Sequence, residues 1–255
     1  SLGGPLLVTY CPLCGSGMTA ERTVNGEETV FGVSGLLRRN DLVMYDEATA
    51  SLWSQILATA IRGEETGTTL TLVPSTLTTW GEWRESHPGT VVLRPPPESD
   101  TVVGRVDRDY SRNPYGGYES SRRIGIGGSS FDDDRLHPKA QVVGVTHEGT
   151  ARAYPLDAVQ RAGVVNDEVN GLPVVVTVVD STLVAYVRVV DGETLDFVAD
   201  GPKHLRAGGS RWRITTGTAV DGPREGTELE HANDVSPQFW FAWLDFHPET
   251  SVYGE

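Results

Sequence analysis

Short runs in which apolar and polar residues alternate recur along the chain. Alternation with a period of two places every second side chain on one face, so each run predicts a half-buried β-strand. Between two of the runs, Asn25-Gly26 supplies two residues that tolerate positive φ, which predicts a tight hairpin. The predicted strands of the first part of the chain are residues 6–11, 19–24, 29–33, 42–45 and 69–73. The pattern therefore predicts a mainly β protein.

Helical periodicity is confined to short stretches. In residues 75–86, three apolar residues spaced for one helix face precede a proline, which predicts a helix that ends there. A second helix is predicted with Pro237 in its first turn, where proline is favoured. Residues 155–161 predict a third short helix, which follows a predicted hairpin of residues 141–145 and 151–154.

A motif near residue 80 returns 160 residues later. Two tryptophans, a histidine, a proline and a threonine keep their spacing in both places. The matched residues are Trp80, Trp83, His87, Pro88 and Thr90 in the first occurrence, and Trp240, Trp243, His247, Pro248 and Thr250 in the second. Further residues upstream of this motif also match, and the distance between matched residues changes from 159 to 168 along the chain. This change indicates that the second occurrence lacks a few residues between the positions that correspond to Phe31 and Ser51. A repeat that occurs only twice, in units of about 90 residues, predicts a duplicated domain rather than a solenoid.

The duplication predicts the domain organisation. We expect internally duplicated small β-barrel or β-sandwich units, each with one short α-helix, related by pseudo-twofold symmetry. Residues 1–93 form the first β repeat, which carries a Cys-x-x-Cys turn. Residues 94–140 form a loop-rich linker, and residues 141–255 form a second β repeat without cysteines.

The net charge of the chain disfavours some classes of binding partner. The 255 residues carry a net charge of −14, with 35 acidic and 21 basic side chains, which disfavours nucleic acid and anionic membranes because phosphate is repelled. Only Lys139 and Lys203 among the basic residues are lysines. An acidic surface with arginine in place of lysine favours a halophilic protein, since high salt screens its self-repulsion. A genome that favours arginine codons is the alternative.

We expect no transmembrane segment, because the longest apolar stretch, residues 172–190, is interrupted by Asp180, Ser181 and Arg188. The sequence starts at Ser1, without Met and directly before a predicted strand, so we expect that a segment has been removed upstream. A processed export leader and a trimmed chain are the two alternatives, so the sequence permits export. An extracellular or cell-surface location is therefore expected, in preference to the cytoplasm. Self-association or another surface protein would supply its partner.

Several strings give the chain a family resemblance. They are TYCPLCGS at residues 9–16, FGVSGLL at 31–37, LVMYD at 42–46, SLWSQ at 51–55, RLHPK at 135–139 and AYPL at 153–156. In these strings the chain resembles the domain of unknown function 3179 family of bacteria and haloarchaea over nearly its whole length. The resemblance implies a mainly β protein, often with an export signal, and an acidic surface in haloarchaeal members. It implies no established reaction.

Cys11 and Cys14 are the only cysteines, and they are separated by a turn that begins with Pro12. This spacing brings two sulfur atoms within disulfide reach, can lower the pKa of one thiol, and can chelate a soft metal ion. Two thiolates do not complete a tetrahedral zinc site, and Gly15 excludes the Cys-x-x-Cys-His haem motif. The second occurrence has Val179 in place of Cys11, so a thiol site belongs to the first repeat only.

The preferred hypothesis is an exported protein with a thiol site for redox exchange or for copper binding. Cys11 and Cys14 would bind the metal, and Met44 or His137 would complete the site. The residues predicted around it are Ser34, Tyr45, Ser54 and Gln55. The alternative is a non-enzymatic cell-surface or assembly protein in which the two cysteines form a structural disulfide and Met44 fills the core.

Other candidate sites have simpler interpretations. His87 and His247 occupy the same position in both repeats, so each is expected to cap a helix end rather than to do chemistry. Asp107 and Asp109 alternate as calcium-loop ligands do, but Arg112 stands at the glycine position, so a solvated acidic loop is the alternative. The glycine run at residues 125–128 follows no clear strand, so no nucleotide is expected.

Overall fold

The structure, a computed structural model, describes residues 4–92, 112–126, 128, 132–233 and 235–255. We call residues 4–92 the N-terminal segment and residues 141–255 the C-terminal segment. The elements of the N-terminal segment are β1 (Leu6–Cys11), β2 (Ser16–Glu21), β3 (Thr23–Val24), β4 (Glu27–Glu28), β5 (Phe31–Arg38), β6 (Asp41–Asp46), β7 (Leu52–Ser54), β8 (Thr59–Arg62) and α1 (Trp80–Ser86).

The C-terminal segment begins with a hairpin and a helix before its remaining strands. Its elements are β9 (Gln141–His147), β10 (Thr150–Pro155), α2 (Leu156–Ala162), β11 (Val164–Val169), β12 (Leu172–Val179), β13 (Thr182–Val187), β14 (Val189–Val190), β15 (Glu193–Thr194), β16 (Val198–Ala199), β17 (His204–Ala207), β18 (Ser210–Arg213), β19 (Ala219–Asp221), β20 (Gln238–Phe239), α3 (Trp240–Phe246) and β21 (Ser251–Val252). The prediction of a mainly β protein is therefore confirmed.

The two segments arrange their strands in a similar succession, with one more strand in the first sheet of the C-terminal series. In the N-terminal segment, hairpins β1–β2 and β3–β4 precede a sheet of order β5-β6-β7-β8. In the C-terminal segment, a sheet of order β11-β12-β13 and the hairpin β14–β15 precede a sheet of order β16-β17-β18-β19. A further sheet of the C-terminal segment has the order β20-β9-β10-β21. Among the described residues no sheet closes on itself, so the prediction of a barrel is wrong and the sheets are open.

The repeated motif forms the same local structure in α1 and α3. The indole Nε1 of Trp83 donates to Thr90 Oγ1 at 2.9 Å, and Trp243 Nε1 donates to Thr250 Oγ1 at 2.9 Å. Each of these tryptophan rings stacks on the following histidine with ring centroids 3.9 Å apart, and each histidine N–H bonds the tryptophan carbonyl. His247 is the C-terminal cap residue of α3, as its place beside proline predicted.

Both helices are shorter than the sequence predicted. Helix α1 begins at Trp80 rather than at residue 75, and α3 begins at Trp240, three residues after Pro237. The residues around Pro237 are extended instead, because β20 pairs with the edge of β9. The helix predicted at residues 155–161 is confirmed as α2.

Separate hydrophobic clusters stabilise the sheets. One cluster of the N-terminal segment contains Met18, Ala20, Met44, Trp53, Ala58, Ala60 and Leu70. In the C-terminal segment, α3 packs Trp240 and Leu244 against β9, β10 and β21, through Val142, Ala153 and Val252. A Cβ atom on Gly144 would clash with the ring of Trp243, so glycine allows the helix to approach the sheet closely.

The chain divides into two compact units. One comprises Ser1–Leu77 together with Arg122–Glu255, and the other comprises Thr78–Ser121 and contains α1. The domain boundaries after residues 93 and 140 stay predictions. Among the described residues, no helix has the length and apolar character needed to cross a membrane.

Candidate thiol and carboxylate site

The two cysteines lie in the connection between β1 and β2. Cys11 is the last residue of β1 and pairs with Ser16, the first residue of β2, so four residues, from Pro12 to Gly15, join the strands. The turn is closed by a 2.8 Å hydrogen bond from the Gly15 N–H to the Cys11 carbonyl. Gly15 has φ of +65°, a conformation that favours glycine. The local sequence thus folds the Cys-x-x-Cys segment back on itself.

The cysteines are close but unbonded. They lie 3.5 Å apart, well beyond the S–S bond length of about 2.05 Å, and both are free thiols. The prediction of a structural disulfide is therefore wrong for this structure. Cys11 is 1% exposed and Cys14 is fully buried, so bulk water does not reach the sulfur atoms.

A second hairpin brings a carboxylate to the thiols. Arg39 and Asn40 form the turn between β5 and β6 with positive φ angles, and Asp41 follows as the first residue of β6. The Asn40 carbonyl oxygen lies 3.3 Å from Cys14 Sγ and 3.8 Å from Cys11 Sγ. Three atoms that could bind a metal ion lie within 4.8 Å of one another, one each from Cys11, Cys14 and Asp41. All three residues are buried.

The carboxylate of Asp41 is only half satisfied by the protein. Its Oδ2 accepts from Ser54 Oγ at 2.7 Å and from the Ile56 N–H at 3.3 Å. Its Oδ1 is buried and has no hydrogen-bond partner among the described residues. Burial, followed by the nearby Cys11 thiolate, raises the pKa of Asp41 to about 7. One oxygen of a buried carboxylate is therefore available to a proton or to a cation.

The environment distinguishes the two thiols. A hydrogen bond from the Cys14 thiol outweighs burial and lowers the pKa of Cys11 to about 6, with help from the backbone N–H groups of Cys14, Leu42 and Leu13. The same hydrogen bond, burial and the charges of Cys11, Asp41 and Asp245 raise the pKa of Cys14. In the metal-free protein, Cys11 is therefore the thiolate and Cys14 the thiol that donates to it.

Residues from β20 and from the linker close the site. The Phe239 N–H donates to the Cys14 carbonyl at 2.8 Å, and the Phe239 ring lies 3.1 Å from where a Cβ of Gly15 would be. Asn40 holds the linker through its side chain, since Nδ2 donates to the Gly128 carbonyl at 2.6 Å and Oδ1 accepts from the Ile126 N–H at 3.1 Å. The site is thus enclosed by parts of the chain that are distant in sequence.

The structure brings some predicted site residues to the cysteines. Ser54 contacts Asp41, as described above. Gln55 is fully buried beside the cysteine hairpin, where its Oε1 accepts from Ser16 Oγ at 3.1 Å. Ser34 instead donates to the Val43 carbonyl at 2.6 Å, and Tyr45 packs over Gly32.

The two residues predicted to complete a copper site have other surroundings. Met44 packs in the hydrophobic cluster with Met18 and Trp53. It is three positions from Asp41 on β6, and residues an odd number apart on a strand point to opposite faces. His137 lines a cavity with Arg135 and Lys139. The Cys11, Cys14 and Asp41 group contains neither of them.

Sequence reasoning did not assign Asp41 a role, although Asp41 lies between Phe31 and Ser51, where the second occurrence of the repeat lacks residues. Asp107 and Asp109, the predicted calcium ligands, lie outside the described residues.

The fold and this cluster define a mainly β protein with a buried thiol and carboxylate site. The chain belongs to the family described as "Protein of unknown function (DUF3179)", which it matches over residues 2–250. Comparison with curated proteins and with solved structures gives no significant match.

Proposed function

We propose that Cys11, Cys14 and Asp41 bind a metal ion. The observation that carries this proposal is that Asp41 Oδ1 is buried without a hydrogen-bond partner among the described residues. Asp41 also belongs to a group of three residues whose ligand atoms lie within 4.8 Å of one another. A cation would balance the charge of the thiolates and the carboxylate, which burial otherwise makes costly. Thiols release their protons when they bind a metal as thiolates, and the low pKa of Cys11 means that its proton is lost most easily.

The ligand types limit the choice of metal. Two thiolates favour soft or borderline ions, for which copper and zinc are the main candidates. Copper remains the metal expected from the sequence, for a protein exported from the cell. The oxygen of Asp41 favours zinc more than a thioether from Met44 would, because zinc accepts sulfur and carboxylate ligands together. The main-chain oxygen of Asn40 lies 3.3 Å from Cys14 Sγ, which is near enough for it to serve as a further ligand of the metal ion.

We further propose that the two segments are copies of one unit and that the site is an addition to the first copy. The support is the shared succession of hairpins and sheets and the equal Trp–His–Thr geometry in α1 and α3. The β12–β13 hairpin turns through Asp180 and Ser181 alone, whereas β1–β2 turns through four residues that include Cys14. A function confined to one copy explains why the lengthened loops occur there.

Redox exchange is the second candidate, and the pKa of Cys11 near 6 favours it. The Cys11 thiolate and Cys14 thiol would form a disulfide, losing two electrons and a proton to an acceptor such as a small disulfide. The 3.5 Å separation is short enough for this closure. Burial of both sulfur atoms argues against exchange with a protein thiol, since attack requires access to the sulfur.

An extracellular or cell-surface location in a high-salt environment is part of the proposal. It is supported by the net charge of −14 and by the scarcity of lysine. A surface or assembly protein without catalytic activity would be compatible with a structural metal ion in place of the disulfide.

Metal analysis with thiol counting tests the proposal. Protein purified without chelators, and then loaded with either Cu(I) or Zn(II), should bind one equivalent, and the Cys11→Ser and Asp41→Asn variants should bind less. Met44→Leu and His137→Gln are the matched controls, and both should bind as the wild type does.

The opposite pattern would contradict this assignment. If Met44→Leu loses the metal and Asp41→Asn keeps it, the copper site predicted from the sequence is the better description. If no metal binds to fully reduced protein, the metal proposal fails. A reversible, two-electron disulfide in that protein would then support redox exchange.

A further inference from the structure

A cavity of about 570 Å³ lies apart from the cysteines, in the C-terminal segment and the end of the linker. Its walls are residues 135–137 and 139–141, residues 155–158 and 161 at the start and end of α2, and residues 252–255 at the end of β21 and beyond it. Neither cysteine nor Asp41 lines it. Leu136, Leu156 and Val252 supply apolar surface, and the volume falls in the range of small-molecule sites.

Positive charge is concentrated here although the protein as a whole is acidic. Arg135, Lys139 and Arg161 line the cavity, opposed by Asp157 and Glu255. Two of the three cations have partners within the protein. Arg135 pairs with Asp133 at 2.7 Å and with Glu255 at 3.6 Å, and Lys139 donates to the Arg123 carbonyl.

Arg161 is the third cationic residue that lines the cavity. It stands in the last turn of α2, is exposed, and makes no ion pair or side-chain hydrogen bond with the described residues. Its guanidinium can therefore present two parallel N–H donors to an anion at the cavity.

His137 adds a neutral donor. Its Nδ1 accepts from the Lys139 N–H at 3.2 Å, so the proton of the neutral ring is on Nε2. Burial, and then the charges of Arg122 and Lys139, lower the pKa of His137, so the ring is neutral at pH near 7. The histidine that the metal proposal leaves unused thus acquires a role as hydrogen-bond donor.

We propose that this cavity binds a small organic monocarboxylate, with its anionic group on Arg161 and His137 and its apolar body against Leu156 and Val252. A single negative charge fits better than two, because Asp157 and Glu255 line the same cavity and would repel a dianion such as phosphate. The apolar wall distinguishes such a ligand from an inorganic anion.

Titration calorimetry on the full chain, with sodium benzoate as the probe and benzyl alcohol as its uncharged equivalent, tests the proposal. Benzoate should bind saturably with one site per chain, and benzyl alcohol should bind at least about tenfold more weakly. Arg161→Gln should weaken benzoate binding about tenfold, and His137→Phe should weaken it several-fold. The matched control is Arg213→Gln, an exposed strand arginine outside the cavity, which should leave binding unchanged.

Three outcomes would overturn the proposal. Benzoate could fail to saturate, Arg213→Gln could weaken binding as much as Arg161→Gln does, or phosphate could bind more tightly than benzoate. Circular dichroism of each variant establishes that it is folded, which is expected because both arginines are exposed.

Discussion

The hairpins β1–β2 and β12–β13 occupy the same place in the strand succession but end in different turns. In β12–β13, Val179 pairs with Thr182 and two residues with positive φ make the turn. In β1–β2, Cys11 pairs with Ser16 and the turn has four residues. Two added residues are enough to place a second sulfur atom beside the first. The difference between the two turns thus accounts for the close approach of the two cysteines in β1–β2.

The β5–β6 hairpin is likewise longer than the β16–β17 pair with which it is compared. Strands β5 and β6 have eight and six residues, so their turn reaches the cysteines and delivers Asp41. The corresponding pairing of β16 with β17 involves only Val198 and Ala199 on β16. Both longer hairpins belong to the N-terminal segment, and they meet at the candidate site. The comparison indicates that the site depends on loop length as much as on residue type.

Shortening the cysteine turn should have the largest effect. Replacing residues 12–15 with Asn-Gly gives β1–β2 a two-residue turn like that of β12–β13. We expect metal binding to fall below detection while the hairpin stays folded, as measured by metal analysis and circular dichroism. Cys14→Ser, which keeps the turn length, should lose most of the binding but not the turn. Full metal binding by the shortened protein would place the site elsewhere.

Removing the carboxylate should change stability in a pH-dependent way. In metal-free protein the folded-state pKa of Asp41 is about 7, above its unfolded value of 3.8. As pH rises between these values the unfolded chain loses the proton and the folded chain keeps it, so the free energy of unfolding falls. The loss amounts to about 4 kcal/mol at pH near 8.

Asp41→Asn removes this penalty. The variant should be more stable than the wild type at pH near 8 and similar to it at pH near 4, in urea unfolding with a chelator present. The matched control is Asp196→Asn, since this exposed residue carries an ordinary surface ion pair. A wild-type stability that does not fall with rising pH would show that Asp41 ionises freely in the fold.

The thiol pair offers a smaller but direct test of the difference between the two turns. Cys14→Ala removes the donor that lowers the pKa of Cys11, so this pKa should rise from about 6 by more than about one unit. Thiolate absorbance in the ultraviolet, followed against pH, measures it. Cys14→Ser should shift it less, because a hydroxyl still donates. An unchanged titration in Cys14→Ala would assign the low pKa to the backbone N–H groups alone.

The smallest effect concerns the repeated Trp–Thr hydrogen bond. Thr250→Val should cost about 1–2 kcal/mol of unfolding free energy, because the bond from Trp243 is buried. Thr90→Val breaks the same 2.9 Å bond from Trp83 at an exposed position, where water replaces the lost partner. Its cost should be below about 0.5 kcal/mol. Equal costs would mean that burial does not distinguish the two sites.

Local features of this protein follow from local sequence. The alternation in residues 6–11 and the Asn25-Gly26 turn specify β1 and the β3–β4 hairpin, because each depends on a few neighbouring residues. The Cys-x-x-Cys turn was likewise visible as a candidate site. Helix boundaries were less accurate, since pairing of β20 with β9 overrides the helical preference near Pro237.

The third residue of the candidate site, Asp41, could not be predicted in this way. Alternation along β6 places Asp41 and Met44 on opposite faces, but it does not specify which face meets the cysteine turn. That choice depends on how the β5–β6 hairpin packs against β1–β2, which no local pattern specifies. The position of His137 depends in the same way on where the linker packs.

The sequence by itself determined that this is a mainly β protein with a thiol pair at a strand end, because alternation, turn residues and short spacing act within a few residues. Only the tertiary structure decided that the thiols stay unbonded, that Asp41 joins them and that Met44 belongs to the core. These outcomes arise where two hairpins, the linker and α3 converge. Contacts between residues that are distant in sequence depend on register and packing, which the whole fold sets.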